Sequence, residues 1–147
     1  MSAWGTLLAT IAGAAIALVG QHLVKRSEER ARISELLLEQ CAVVAASSME
    51  FRDRMWEERH LDLEGRVASW DLSALRMATA RVHILSKDEA LLSSLDHLNK
   101  AGRRLGSYWR LGDASDASYS DLWDRHGVAL KQFLATSGKT VRRPPQS

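Results

Sequence analysis

The sequence predicts an all-α protein in which an N-terminal transmembrane helix continues into a cytosolic antiparallel bundle of about four helices. Three observations carry this. The first 24 residues contain no Asp, Glu, Lys or Arg, and all 38 charged side chains follow them. After that run, apolar residues recur at steps of three and four, the spacing of one helix face. Pro is absent until Pro144 and Pro145, so the main helix breaker is missing from the interior.

Residues 4–24 form the expected span. At roughly 1.5 Å per residue they reach about 32 Å, against a hydrocarbon core about 30 Å thick. Lipid offers no hydrogen-bond partners, so the segment must satisfy its own backbone as a helix. Trp4 at one end and Gln21 and His22 at the other suit the two interfaces. A secretory signal peptide is disfavoured because no basic residue precedes the apolar run. A buried core helix of a water-soluble domain is disfavoured by the length of the charge-free stretch. Lys25, Arg26, Arg30 and Arg32 follow at once, which by the positive-inside tendency places the N-terminus outside and the C-terminal side in the cytoplasm. The expected location is therefore the inner or plasma membrane, single-pass. Within the span, Gly5, Ala9, Gly13 and Ala17 fall at steps of four, a spacing that lets two helices approach closely. Helix self-association, or pairing with another membrane protein, is the corresponding expectation.

No Gly or Pro occurs between Lys25 and Leu63, so the same helix is expected to run on into the cytosol. Its core face is predicted as Ile33, Leu37, Cys41, Val44, Ser48, Phe51 and Met55, with Gly65 as the first stop. A second helix is expected from Ser69 or Trp70, presenting Leu75, Ala78, Val82 and Leu85. Ser86 reads as the N-cap of a third, with Glu89 completing a capping box. The third helix presents Leu91, Leu95, Leu98, Gly102, Leu105 and Trp109. Residues 112–118 form a turn-rich loop. Ser118 or Ser120 then caps a fourth helix carrying Tyr119, Leu122, Trp123, His126, Leu130 and Phe133, which Gly138 ends. Heptad-like spacing also permits a coiled coil, but Gly65 and the 112–118 loop cut it into bundle-length pieces. The domain reading is an outer N-terminus and span over 1–24, a cytosolic bundle over 25–137, and a disordered basic tail over 138–147.

Cys41 is the only cysteine, which excludes an intramolecular disulfide and fits a reducing compartment. Glu57-x-x-His60 has the spacing of a di-iron ligand pair, but no second copy exists, and the surrounding run to Glu64 reads as a solvated charged face. Gly138-Lys139-Thr140 lacks the earlier glycine and the strand that a phosphate-binding loop needs. The histidines are scattered singly, so no catalytic constellation, metal site or cofactor is nominated. The remaining candidate is a basic cluster, Lys100, Arg103, Arg104 and Arg110 with Trp109. A near-neutral total charge and a membrane anchor argue against nucleic acid and leave anionic lipid or a protein partner. Trp109 and Trp123 are expected in the core, with Trp56 and Trp70 unassigned.

A Gly/Ala-rich span, the exit Gln21-His22-x-x-Lys25-Arg26, and Ser27-Glu28-Glu29-Arg30-Ala31-Arg32 together resemble a broad group of small bacterial single-pass membrane proteins. The resemblance covers roughly residues 5–45 and implies topology and a helical cytosolic domain. It carries over no catalytic or binding residues. The expected function is non-enzymatic: a single-pass membrane protein whose helical domain mediates protein contact or self-association. The alternatives are a binder of anionic lipid surface and a metal site or enzyme hidden in the bundle.

Overall fold

The structure, a computed structural model, describes the backbone of residues 3–111 and 116–142 and the side chains of residues 13–111 and 117–142. Four helices make up the described residues: α1 (Ala3–His60), α2 (Leu72–Leu85), α3 (Glu89–Leu111) and α4 (Asp116–Arg142), with no strand among them. The chain divides into two compact units, Met1–Glu35 and Leu36–Ser147.

In the first unit, every described side chain is exposed. Among the described residues no helix is long and apolar enough to cross a membrane. Among the residues whose side chains are described, the charge-free part of α1 is 13–24, about 18 Å of helix, followed by Lys25 and Arg26. The side chains at 4–12, including Gly5 and Ala9 of the small-residue stripe, lie outside the described residues. The fold class therefore holds as all-α with four helices, and the span belongs with the proposals below.

The second unit is an up-down-up-down bundle whose first member is the later half of α1. Arg81 of α2 reaches Gln40 while Trp70, just before α2, packs on Phe51, so α2 runs antiparallel to α1. Cys41 bonds Ser137 and Arg59 lies over Tyr119, so α4 also runs against α1. Thr140 donates to Asp88, so α4 ends where α3 begins.

The helical periodicity placed the core well. Leu37, Cys41, Val44, Phe51 and Met55 of α1 are buried with Ala78, Val82, Leu91, Leu95, Leu98, Leu105, Leu130 and Phe133. Each large side chain removed from water contributes about 1.5–3 kcal/mol. Ile33, expected on this face, is exposed, and the buried series starts one turn later at Leu37. Two apolar clusters form. One gathers around Val44, Leu95 and Phe133; the other, aromatic, gathers around Phe51, Met55, Leu105 and Tyr119.

The element ends differ from expectation. α1 stops at His60, and Asp62 takes a positive φ of 49° before Gly65 does at 81°. The run expected as a solvated face instead holds the following loop. Glu58 accepts from the backbone N–H of Val67 at 2.9 Å, and Glu57 pairs with Arg66 at 2.7 Å. Ser86 is not the cap of α3: its backbone N–H closes α2 on Val82, and its hydroxyl accepts from Asp88 N–H. Asp88 is the cap, its Oδ1 accepting from Ala90 and Leu91. α4 starts at Asp116, ahead of both serines proposed as its cap, and passes through Gly138 to Arg142. Residues 138–142 of the expected tail are thus helical, and residues 143–147 lie outside the described ones.

Candidate functional site

Of the basic cluster named from the sequence, two members share one groove. Successive residues on a helix are turned by about 100°, so Arg103 and Arg104 flank Lys100 on the two edges of one face of α3, and only the Arg104 edge adjoins α4. Lys100 and Arg104 line a groove between α3 and α4, together with His97, Ala101, Leu122 and Arg125. Arg103 and Arg110 do not line it; Arg110 instead donates to the Gly106 carbonyl at 3.2 Å. Trp109 is half-buried in the aromatic cluster, 5.7 Å from the Tyr119 ring.

The groove has a volume of about 360 Å³. Ala101 and Leu122 are its apolar members; Lys100, Arg104 and Arg125 bring three cations from two helices. Two carboxylates lie beside it, each bound one helical turn away: Asp96 to Lys100 at 2.8 Å and Asp121 to Arg125 at 2.9 Å. Arg104 has no ion pair among the described residues. Sequence reasoning found Lys100 and Arg104 but missed His97 and Arg125. His97, Lys100, Ala101 and Arg104 follow at helical steps and were readable; Arg125 joins them only through the pairing of α3 with α4.

A second polar arrangement lies inside the bundle, at the level where the two apolar clusters meet. His126 is 2% exposed. The Arg52 guanidinium donates from Nη1 to the Trp123 carbonyl at 2.7 Å, sits 3.9 Å above the Trp123 ring, and lies 3.4 Å from His126 Nδ1. With Arg52 as donor, Nδ1 is the unprotonated nitrogen. Burial, and then the Arg52 charge, pull His126 down to about 4, which keeps the ring neutral. Two glycines make room: a Cβ on Gly127 would meet Arg52 at 3.3 Å, and one on Gly102 would touch His126. This is a closed packing arrangement.

The other candidates are placed as follows. Lys25, Arg26, Arg30 and Arg32 are exposed on α1. Gly13 and Ala17 are exposed, and a Cβ at Gly13 or Gly20 would meet nothing within 4 Å. Trp123 and Trp70 are half-buried in the aromatic cluster, whereas Trp56 is exposed and stacks on His60 at 5.0 Å. Cys41 is buried beside Ser137, and burial raises its thiol, which disfavours the reactive thiolate. Among the described residues no three His, Cys, Asp or Glu side chains come together as metal ligands.

The chain matches no protein-family model, no curated protein and no solved structure.

Proposed function

We propose that this protein is a non-enzymatic, single-pass membrane protein whose helical bundle serves protein contact or self-association. In this reading residues 4–24 cross the membrane, the N-terminus is outside, and the bundle is cytoplasmic. One observation carries it. Along residues 13–24 of α1, apolar side chains are exposed on every face: Ile16 is 73% exposed, and Leu18, Val19, Leu23 and Val24 are exposed as well. A helix apolar all round is stable only where lipid or other helices cover it. Lys25, Arg26, Arg30 and Arg32 supply the cytoplasmic bias, and the open surface at Gly13, Ala17 and Gly20 supplies a face for a second helix.

The test uses the full chain in its native membrane. Alkaline carbonate extraction should leave the protein in the membrane pellet. Photocrosslinkers at Ala17 should then capture a protein, whether a second copy or another membrane protein. Complete release by carbonate would overturn the anchor. A retained chain that yields no crosslink would overturn the contact role of this face while sparing the anchor.

A further inference from the structure

We propose that the α3–α4 groove is a binding site for a phosphate group, carried by a lipid headgroup or by a soluble phosphate compound. This site is independent of the membrane span and goes beyond the contact role assigned to the bundle.

Lys100 and Arg104 stand one turn apart on α3, and Arg125 enters from α4 on the same concavity. Bringing three cations to one groove of about 360 Å³ raises its potential, because nearby like charges repel. The two carboxylates beside it offset two of the three charges and leave an excess of one, on Arg104. Asp96–Lys100 and Asp121–Arg125 are exposed pairs along single helices, with side chains 50% or more accessible. Such pairs contribute only about 0–1 kcal/mol, so their cations can rotate toward an incoming anion at little cost. Arg104 has no such pair among the described residues to give up.

The donor set then selects the anion. Two guanidinium groups present planar forks that match two oxygens of a phosphate, and an ammonium adds a point charge. The imidazole of His97 is a further ring N–H donor at the rim. A phosphate has enough oxygens to engage three cations at once, whereas a lone carboxylate has two. Ala101 and Leu122 give the groove an apolar portion that suits the carbon skeleton next to the phosphate. Arg103 provides the internal control: it neighbours Arg104 in sequence, is exposed, and does not line the groove.

The experiment is calorimetric titration of the full chain in a zwitterionic detergent and phosphate-free buffer. Three probes are used: inorganic phosphate, inositol trisphosphate and dioctanoyl phosphatidic acid. We expect at least one to bind at one per chain, with Arg104→Ala and Arg125→Ala each weakening it by about tenfold or more and Arg103→Ala by less than about twofold. Binding of the phosphatidic acid alone identifies a lipid headgroup; binding of either soluble probe identifies a soluble phosphate. Equal weakening by Arg103→Ala would mean diffuse surface charge and overturn the site. So would the absence of binding by all three probes. All three positions are exposed, so unchanged thermal unfolding of each variant separates lost binding from lost fold.

Discussion

His126 and Arg52 form the polar arrangement inside the bundle, on α4 and α1. The neutral ring is 2% exposed, and burial followed by Arg52 lowers it to about 4 from an ordinary value of 6.5. The folded state therefore binds its proton less readily than the unfolded chain. Stability from this residue is complete above pH 6.5 and is lost as the pH falls from there toward 4, because the unfolded state takes up the proton first. A shift of that size corresponds to roughly 3 kcal/mol. His126→Leu should remove most of this slope between pH 6.5 and 4, read by urea unfolding at several pH values. A variant as steeply dependent as the parent would place the slope on the carboxylates instead. Arg52→Met should cost about 1–3 kcal/mol, since it strips a charged donor from the Trp123 carbonyl and a cation from the Trp123 ring. It should also raise His126, an effect seen directly in the NMR titration of its ring, because one of the two causes lowering it is gone.

Between helices, the ends carry information that the faces do not. Asp88 caps α3 through Oδ1 and accepts from Thr140 of α4 through Oδ2 at 3.0 Å, so one carboxylate ties the start of α3 to the last turns of α4. Asp88→Ala should cost about 2 kcal/mol, roughly half from the cap and half from the bond to Thr140. Thr140→Val should cost only the second half, and equal losses in urea unfolding would show that the cap contributes little. Gly138, inside α4, should gain from substitution. A Cβ there would meet Arg142 at an ordinary 3.6 Å, so Gly138→Ala should stabilise by about 0.5–1 kcal/mol in the same assay. Helix faces are legible because burial repeats every three to four residues, and Leu91, Leu95, Leu98 and Leu105 announced themselves that way. Ends depend on what the rest of the fold supplies. Asp88, not Ser86, accepts from the first N–H groups of α3 while the Ser86 backbone N–H closes α2, and Gly138 lies within α4, whose last turns are tied to Asp88 through Thr140. The groove was legible only on its α3 side for a related reason: no pattern within either helix states that Arg125 faces Arg104.

For the molecule as a whole, the charge-free segment and the bundle obey different physics. The bundle hides its apolar residues from water internally, so a charge on its outer face, such as Arg103→Glu, leaves the core intact. Residues 13–24 have no such internal cover, and in the proposed reading lipid surrounds their apolar side chains. If that surrounding is hydrocarbon, a charge near the middle of residues 4–24 should be costly in one property and silent in the other. Ile16→Arg tests this. Its exposure in the isolated chain means no packing within the protein is lost, while an arginine near the centre of a spanning helix costs about 3 kcal/mol of insertion, more than a hundredfold in partition. The variant should therefore move from the carbonate-resistant membrane pellet to the extractable fraction. In detergent it should keep the parent's urea midpoint and the same His126-dependent pH slope. A variant that stays in the pellet would show that lipid does not surround Ile16. A variant that leaves the membrane and also loses the bundle's midpoint would show that the first unit contributes to the stability of the second.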